Sequence, residues 1–470
     1  MSPFELAAAS GVLILFLYAV KNRRRGKLPP SLPFLGHLHL IGRLAHRSFH
    51  ELQLRYGGGD GLLLLQLGRR RTLVVSTAAA AADLFRNHDL AFASRPRSMN
   101  ADKLMYGCRN VSFAPYGEEW RLGKKAATLC LSMDRVESLA PVRAAEVAAL
   151  VARARRAAEE GEAVELRALL YGYTNAVVTR ATTGGAGATA EKLEQLMGYS
   201  KELMAGFQPE ELLPDAPPRV VRWATGLDKK LDGIAEEWDK FLSEMLAAHV
   251  EKWADGAGEE EEDFIDVLLR LKREGADGLE LTDDRIKATV QNMIVAATET
   301  SSHTLEWAMA ELVANPRVMV LRLHAPAPLL VPHESTTPAI VQGYEILAKT
   351  ALFVNVWAIG RDPAAWDAPE EFRPERFVGG GAPTVDFRGT DYQLIPFGAG
   401  RRICPGINFA LPILELALAG LLRHFDWELP GGMRPADLDM VEAPGLTAPR
   451  RVPLVLVPKR KGTLAPPALQ

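Results

Sequence analysis

The most apolar stretch of the chain lies close to its N-terminus and is followed at once by basic residues. Residues 6–20 are almost wholly hydrophobic, and five lysines and arginines occur within residues 21–27. This pattern is typical of a single membrane-spanning helix whose C-terminal flank stays in the cytoplasm. A cleaved signal peptide is the alternative, although its basic residues would precede the apolar run. We therefore predict a membrane anchor with a basic flank over residues 1–27 and a folded domain over residues 28–470.

Beyond this stretch the spacing of hydrophobic residues is mainly helical, with short extended runs between the helices. Residues 61–68 and 72–76 are apolar runs that predict two strands joined by a turn. Thr282 suits the N-cap of a long helix that would end near Asn315, because Pro316 cannot continue it. The chain is therefore predicted to be mainly α-helical, with small β sheets.

Composition argues against two classes of protein. The 470 residues carry a net charge of −3, which gives no electrostatic case for binding nucleic acid. The three cysteines, Cys108, Cys130 and Cys404, do not make a disulfide framework, and this fits a reducing compartment. We therefore expect no nucleic-acid partner and no disulfide-stabilised fold.

The clearest chemical signal is a cysteine that a glycine-rich loop presents at the start of a helix. Cys404 follows glycines at 398 and 400 and precedes Pro405, which suits a first helical position, and Gly406. Unpaired N–H groups and the dipole at a helix N-terminus would lower the pKa of the thiol. Glycines permit the close approach of a flat ligand, and cysteine thiolate can ligate haem iron. A buried structural cysteine is the alternative.

The spacing Phe397-x-x-Gly400-x-Arg402-x-Cys404-x-Gly406 resembles the haem-binding signature of the cytochrome P450 family. The resemblance extends over essentially the whole chain and indicates a plant-type microsomal member. It implies the cytochrome P450 fold around one buried haem b, with Cys404 as the axial ligand of the iron. The other cofactor-binding residues that it implies are Phe397, Gly398 and Gly406, together with Trp120, Lys124, His333 and Arg402 as holders of the haem propionates.

The middle of the long predicted helix resembles the oxygen-binding groove of the same family. Residues 296–302 combine small side chains with a hydroxyl and a carboxylate. Small side chains would let haem and dioxygen approach, and the resemblance implies that Thr300 and Glu299 relay protons there. A threonine in mid-helix can also bond a preceding carbonyl and open the helix locally. The alternative is a segment that serves only in packing.

The resemblance implies a monooxygenase that inserts one oxygen atom from O2 into a small hydrophobic organic substrate in plant specialised metabolism. Electrons would come from NADPH-cytochrome P450 reductase, since the chain has no nicotinamide or flavin fingerprint of the G-x-G-x-x-G kind. The protein would cross the endoplasmic reticulum membrane once, with its catalytic domain facing the cytoplasm and the lipid membrane as a further partner. A haem-thiolate isomerase or dehydratase is the alternative enzyme, although the Glu299–Thr300 pair argues against it.

The pattern of the family breaks between residues 319 and 320. Arg322 stands where the family has the arginine of a Glu-x-x-Arg helix, and Met319 stands at the glutamate position. Roughly forty residues of helix that the family carries before this point are missing, far more than a typical connection holds. We interpret the break as an internal deletion, from a splice variant or an imperfect gene model.

The missing glutamate has a physical consequence. Glutamate and arginine three positions apart share one helix face, and in the family this pair meets an arginine that is Arg376 here. Arg322 and Arg376 would meet without their carboxylate, a loss of roughly 3–5 kcal/mol, unless Glu311 or Glu334 replaces it. The sequence thus predicts a weakened haem domain. A truncated, non-catalytic product with impaired haem binding is the alternative to an active enzyme.

Overall fold

The computed structural model describes residues 29–185, 192–193, 195–198, 222, 226–254, 262–275, 281–314, 320–373 and 385–461. The predicted anchor over residues 1–27 lies outside these residues, as do Met319 and Arg376. Among the described residues, one helix is long and apolar enough to cross a membrane: Ile407–His424, with a mean hydropathy of 1.3. That helix directly follows the Cys404 loop, and most of its buried residues belong to the main hydrophobic core.

The described chain is mainly helical, as the hydrophobic spacing predicts. Its helices are α1 (Ala45–Tyr56), α2 (Ala78–Asn87), α3 (Met99–Leu104), α4 (Glu118–Cys130), α5 (Met133–Ser138), α6 (Ala140–Glu160), α7 (Leu166–Thr183), α8 (Leu227–Ala254), α9 (Phe264–Glu274), α10 (Asp283–Ala314), α11 (Val320–Leu323), α12 (Val356–Ile359) and α13 (Ile407–His424). Its strands are β1 (Leu62–Leu67), β2 (Arg70–Val75), β3 (Val164–Glu165), β4 (His333–Glu334), β5 (Ala339–Val341), β6 (Tyr344–Ile346), β7 (Ala351–Val354), β8 (Phe425–Glu428) and β9 (Val455–Arg460).

The long helix α10 is the centre of the helical core. The hydroxyl of Thr282 accepts a hydrogen bond from the amide of Arg285 at 3.3 Å, which caps the first turn. Asp283 and Asp284 lie in that turn, where the helix dipole favours acidic groups. The helix continues for 32 residues and packs along α7, with further contacts to α8 and α13. The predicted long helix is therefore confirmed, and its middle lies beside the helix that follows the cysteine loop.

A four-stranded sheet places His333 next to the helical core. Its strand order is β1-β2-β7-β4, and β1 and β2 are antiparallel neighbours joined through Gly68, whose φ of 55° favours glycine. Strand β4 pairs with β7 so that His333 lies opposite Leu352. Two smaller sheets, with the orders β3-β9-β8 and β5-β6, complete the described strands. The small sheets predicted from the sequence are thus present.

Beyond the predicted break, the chain resumes at α11 with a buried arginine. Val320 packs in a small apolar cluster with residues of α10. The Arg322 guanidinium is buried and lies 5.2 Å from the centre of the Trp366 ring. It donates hydrogen bonds to three backbone carbonyls, those of Gly360 at 2.6 Å, Pro369 at 2.6 Å and Glu371 at 2.7 Å. Backbone dipoles from the segment 360–371 therefore solvate this charge.

The two carboxylates considered as substitutes for the missing glutamate are engaged elsewhere. Glu311 hydrogen-bonds His324 at 2.6 Å, and Glu334 accepts a hydrogen bond from Lys349 at 3.0 Å. The His324 ring also stacks on Trp307, with ring centroids 3.9 Å apart. The structure therefore assigns Glu311 to holding α11 against α10 and Glu334 to the sheet, and neither takes up the role of partner to Arg322.

Candidate active site

The loop 396–406 folds back on itself and presents the sulfur of Cys404. The amide of Cys404 donates to the carbonyl of Phe397 at 2.9 Å, which closes the loop. Gly398 and Gly400 have φ values of 74° and 65°, a left-handed region that glycine occupies at little cost. The amide of Gly406 points at Cys404 Sγ, 3.4 Å away. The loop thus holds the sulfur in one position ahead of α13.

The protonation of Cys404 differs from the prediction. Burial raises the pKa of Cys404, and the hydrogen bond from the Gly406 amide lowers it only in part. The expected lowering by a helix N-terminus is therefore wrong, because α13 begins at Ile407 and desolvation outweighs the dipole. A thiol in such a place becomes a thiolate when it coordinates a metal cation. The residues around Cys404 therefore suit a metal ligand better than a free nucleophile.

A cavity of about 260 Å³ lies between the cysteine loop and the middle of α10. It brings together nearly all residues that the sequence predicts for the site: Trp120, Lys124, Thr300, His333, Phe397, Gly398, Arg402, Cys404 and Gly406. Its described lining residues include Arg95 and Arg401 as further cations but no aspartate or glutamate. The cavity is therefore apolar with a basic side, which suits a flat, apolar ligand that carries carboxylates.

Arg402 is buried beside the cavity and is oriented by backbone carbonyls. It donates through Nε to Ala93 at 2.6 Å, through Nη2 to Ala114 at 2.7 Å and through Nη1 to Val111 at 3.2 Å. Burial lowers the pKa of Arg402 to about 10, which still leaves the guanidinium charged at neutral pH. Three of its five N–H groups are used in these contacts, so two donors remain for an anion in the cavity.

Trp120 and Lys124 on α4 form the neighbouring part of the basic side. The Trp120 ring lies 4.6 Å from the Arg402 guanidinium and 5.3 Å from Lys124 Nζ. Lys124 Nζ donates to the carbonyl of Arg401 at 2.8 Å. The buried Nε1 of Trp120 finds no acceptor among the protein groups that the structure describes. A buried N–H without a partner costs free energy, so this indole favours a ligand with an acceptor oxygen.

His333 lines the cavity, but its contacts differ from those expected of a propionate holder. Its Nδ1 lies 2.9 Å from the carbonyl of Phe92 and therefore carries the proton. Burial lowers the pKa of His333 well below its usual value, and the nearby Arg95 lowers it further. In the resulting neutral tautomer, Nε2 is an acceptor and does not donate to a carboxylate. His333 thus lies at the cavity as a neutral side chain, and its contact with a propionate stays a prediction.

Arg95 is the buried cation that sequence reasoning missed. Its Nε donates to the carbonyl of Ser112 at 2.9 Å, and its Nη1 donates to those of Val331 at 2.6 Å and Pro332 at 3.0 Å. These contacts leave Nη2 to face the cavity that Arg95 lines. The only signal in the sequence was a single arginine within the apolar segment 92–96. Nothing local distinguished it from a surface arginine.

The two residues predicted to relay protons do not share the cavity. Thr300 lines the cavity, and its hydroxyl donates to the carbonyl of Ala296 at 2.6 Å. Glu299 is half-buried and is absent from the described lining of the cavity. Adjacent positions on a helix point in different directions, so one of the pair must face away. The structure thus keeps Thr300 at the site and places Glu299 outside the cavity.

We expect His333 to make the folded chain less stable in mild acid. Because folding lowers its pKa, the unfolded chain binds more protons below the ordinary value of 6.5, and stability falls as the pH drops through that value. Between pH 7.0 and 5.5 the original chain should lose about 1 kcal/mol more unfolding free energy than a His333→Gln chain. Urea denaturation at both pH values measures this difference. Equal losses in the two chains would contradict a buried neutral histidine.

The fold and this cavity define a haem-thiolate protein. The family model described as "Cytochrome P450" matches residues 27–319 and 320–453, so the chain belongs to the cytochrome P450 family. Members of this family are oxidoreductases whose haem iron is ligated by a cysteine. The match is interrupted between residues 319 and 320, the position at which the sequence pattern breaks.

Three of the proteins that the chain resembles are plant enzymes. Cytochrome P450 71A1 of Persea americana is 41% identical over 466 aligned residues, which cover 90% of this chain and 91% of that protein. 4-hydroxyphenylacetaldehyde oxime monooxygenase of Sorghum bicolor is 36% identical over an alignment of 504 positions, gaps included, which covers 96% of this chain and 94% of that protein. (+)-Menthofuran synthase of Mentha piperita is 36% identical over an alignment of 493 positions, which covers 95% of this chain and 97% of that protein. These matches support a monooxygenase of plant specialised metabolism.

A solved structure shares the same fold at low sequence identity. A zebra fish cytochrome P450 with abiraterone superposes with a TM-score of 0.72 and 21% identity. The match covers 89% of this chain and 100% of that chain. The likeness therefore supports the fold of the described chain.

Proposed function

We propose that this protein binds haem b with Cys404 as the axial ligand of the iron and acts as a monooxygenase on a small hydrophobic organic substrate. The observation that carries the proposal is that the Cys404 sulfur and the Thr300 hydroxyl line one cavity with a basic side. The reaction inserts one atom of O2 into the substrate and reduces the other to water. The names of the curated relatives support this reaction type and leave the substrate open.

The residues of the cavity fit haem b. The macrocycle is flat and apolar and carries two carboxylates, which match the apolar walls and the cations Arg95, Lys124 and Arg402. The unpartnered Nε1 of Trp120 would gain an acceptor from a propionate oxygen. The raised pKa of the Cys404 thiol is also consistent with a group that becomes a thiolate by coordination.

When bound, haem supplies the oxygen chemistry, and the protein supplies position and protons. The Thr300 hydroxyl donates its hydrogen bond to the Ala296 carbonyl, so the lone pairs of Oγ1 can accept a hydrogen bond from a water in the cavity. Thr300 can therefore orient a proton donor toward the cavity without being charged. The apolar residues of α10 that line the cavity limit the entry of further water. Glu299 would contribute only through intervening water, because it lies outside the cavity.

The expected partners and location belong to the same proposal. Electrons would come from NADPH-cytochrome P450 reductase, and the chain would sit in the endoplasmic reticulum membrane with its catalytic domain in the cytoplasm. The apolar residues 6–20 and the basic residues that follow them support this arrangement. Deleting residues 1–27 should move the expressed protein from the membrane pellet to the soluble fraction. A pellet fraction unchanged by the deletion would contradict the anchor.

We also propose that the chain lacks a segment that its relatives carry between residues 319 and 320. The interruption of the family match at this position supports this view. The alignment with cytochrome P450 71A1 of Persea americana supports it too. Its 466 positions cover only 90% of this chain, so some of these positions are gaps in this chain. A truncated, non-catalytic product that binds haem poorly is therefore the second candidate for what this chain is. Only the interruption between residues 319 and 320 favours it.

A reduced, carbon-monoxide difference spectrum on membranes that express the 470-residue chain tests the proposal. A strongly red-shifted Soret band, typical of a thiolate-ligated haem, is the expected result. Product formation should then require both NADPH and O2, which a haem-thiolate isomerase or dehydratase would not need. The absence of the band, with the anchored protein present, would favour the truncated product. A Met319→Glu chain would then show whether the lost carboxylate limits haem occupancy.

We expect Trp120→Phe to weaken haem retention without removing haem. The change deletes the buried N–H that has no acceptor among the described protein groups, and a hydrogen bond to a charged group contributes about 1.5–3 kcal/mol. Transfer of haem to apomyoglobin should therefore become roughly tenfold faster or more. Trp357→Phe is the matched control, since the buried Trp357 Nε1 also has no acceptor among the described residues but is absent from the described lining of the cavity. Equal rates in both variants would argue against a propionate contact at Trp120.

A further inference from the structure

A buried histidine and a buried carboxyl group join the end of α8 to the start of α9. His249 is 3% exposed and lies in the last two turns of α8, and Asp263 is 5% exposed and is the N-cap residue of α9. Their nearest atoms, His249 Nε2 and Asp263 Oδ2, are 2.8 Å apart. Neither side chain belongs to the described lining of the Cys404 cavity. Burying two ionisable groups is costly unless each satisfies the other, so the two members of this His249–Asp263 pair depend on one another.

The contacts of the imidazole ring fix the number of its protons. Nδ1 of His249 lies 2.7 Å from the carbonyl of Met245, which can only accept, so Nδ1 carries a proton. Nε2 faces an oxygen of Asp263 at 2.8 Å, and two lone pairs at that distance would repel each other. A second proton therefore lies between Nε2 and Oδ2. The pair holds this proton whether the ring or the carboxyl group carries it.

The same carboxyl group fixes the start of α9. Asp263 Oδ1 accepts a hydrogen bond from the amide of Asp266 at 3.0 Å, and Asp266 Oδ2 accepts one from the amide of Asp263 at 3.2 Å. This reciprocal capping box sets the direction of the first turn. Gly184, with a φ of 61°, approaches so closely that a Cβ at this position would lie 2.9 Å from Asp263 Oδ2. The carboxyl group is thus enclosed by α8, α9 and the residue after α7.

The first residue of α9 lines the cavity that contains Cys404. Phe264 packs on Phe409 of α13 with ring centroids 5.8 Å apart, and both rings belong to the lining of the cavity. The carbonyl of Phe264 lies 3.9 Å from Cys130 Sγ on α4. Because Phe264 directly follows the N-cap residue, a shift of Asp263 would displace its ring from the helix that follows the cysteine loop.

The other ionisable groups around the pair in the described chain come from α4, α5, α8 and α9 and from the residue before Asp263. They are Cys130, Arg135, Lys252, Asp266, Arg270 and Glu262. The lysine of this set lies 3.4 Å from Asp266, and Glu262 pairs with both arginines. Cys130 stays neutral because burial raises its pKa to about 12. His249 is therefore the group that compensates the charge of Asp263.

We infer that His249 is a positioning residue for the haem site, because the proton that it shares with Asp263 fixes the start of α9 and keeps Phe264 against the cavity. Loss of this proton in mild alkali loosens the start of α9 and speeds the release of haem. The inference rests on the proposed function, since it concerns the retention of haem at the same site.

The pair binds its proton more tightly in the folded chain than in the unfolded chain. Burial alone would lower the pKa of His249, but the hydrogen bond and the charge of Asp263 outweigh it and raise that pKa. Burial also raises the pKa of Asp263. Both shifts act in the same direction. The pair therefore stabilises the folded chain below the ordinary histidine value of 6.5, and this contribution is lost as the pH rises through the folded pKa of His249.

Asp263→Asn removes the shared proton and keeps the geometry of the pair. The amide oxygen can still accept from the amide of Asp266, and the amide NH2 can donate to Nε2 of a neutral His249. Urea denaturation of the purified full-length chain in detergent at pH 6.0 and 8.5 measures the effect. The unfolding constant should rise about fivefold more in the original chain than in Asp263→Asn, since other groups such as His333 contribute equally to both.

Haem retention tests the positioning role on the same samples. Transfer of haem to apomyoglobin should speed up between pH 6.0 and 8.5 about fivefold more in the original chain than in Asp263→Asn. The pH dependence of apomyoglobin itself is common to both chains and cancels in this ratio. His424→Gln is the matched control, because His424 is an exposed histidine at the end of α13. Its transfer rates should follow those of the original chain at both pH values.

Equal changes of the unfolding constant in the original chain and in Asp263→Asn would overturn the shared proton. A difference in unfolding without a difference in haem transfer would refute the positioning role, and so would a His424→Gln chain that loses the pH dependence. The carbon-monoxide difference spectrum reports the proposed function separately. A chain without the red-shifted band would refute the haem site and with it the positioning role, whereas the urea comparison alone would still decide whether His249 and Asp263 share a proton.

Discussion

Replacing Cys404 with serine should remove the red-shifted Soret band of the reduced, carbon-monoxide-treated protein and lower turnover by about three orders of magnitude. The loss corresponds to roughly 4 kcal/mol of activation free energy. The sulfur is held by the closed loop and by the Gly406 amide at 3.4 Å, so serine would place an oxygen at the same position. A serine hydroxyl is a harder ligand and a far weaker acid than a thiol, so it keeps its proton and donates little electron density to iron. Haem that remains bound should show an unshifted Soret band.

Cys130→Ser is the matched control for this experiment. Cys130 is fully buried at the end of α4, its sulfur faces the carbonyl of Phe264 at 3.9 Å, and burial raises the pKa of Cys130 to about 12. It lies outside the described lining of the Cys404 cavity. Serine at this position can donate to the same carbonyl, so the band should keep its position. A red-shifted band that survives Cys404→Ser and disappears in Cys130→Ser would refute the assignment of the iron ligand.

Replacing Arg322 with leucine should cost the folded chain roughly 3–5 kcal/mol, a large part of the stability of a typical domain. The guanidinium donates to three carbonyls, at Gly360, Pro369 and Glu371. Leucine would fill the space but leave these buried carbonyls without donors, and each unsatisfied group carries a desolvation penalty. Haem occupancy should fall with stability, because the segment 360–371 precedes the cysteine loop. Arg322→Lys should show an intermediate loss, since one ammonium cannot reproduce the planar fork.

Urea denaturation followed by tryptophan fluorescence measures this loss, with haem content determined on the same preparations. Arg155→Leu on α6 serves as the control, because Arg155 is exposed. This substitution also removes an arginine but disturbs no buried carbonyl. Its unfolding midpoint should stay close to that of the original chain. If Arg322→Leu unfolds at the same midpoint as the Arg155 variant, the hydrogen bonds from Arg322 to the three carbonyls do not stabilise the folded chain after residue 319.

Several features follow from residues that are close together in the sequence, and the structure bears them out. The strands β1 and β2 agree with two short apolar runs on either side of a glycine turn. Helix α10 begins after Thr282 and continues to Ala314, because its cap, its acidic first turn and the following proline are all local signals. The family itself was evident from five positions within the segment 397–406. Local patterns carry this information because helices, turns and motif loops depend on neighbours along the chain.

Other features depended on contacts between distant segments. Burial, rather than the helix dipole, decides the pKa of Cys404. The carbonyl of Phe92 selects the tautomer of His333 from 241 residues away, and the carbonyls that hold Arg322 come from positions up to 49 residues away. Arg95 likewise becomes a cavity cation only because it reaches the carbonyls of 331 and 332. The sequence by itself determined the family, the helical pattern and the cysteine loop, whereas the tertiary structure decided the charge, orientation and exposure of the side chains around that loop, because desolvation and hydrogen-bond partners arise only when remote segments pack together.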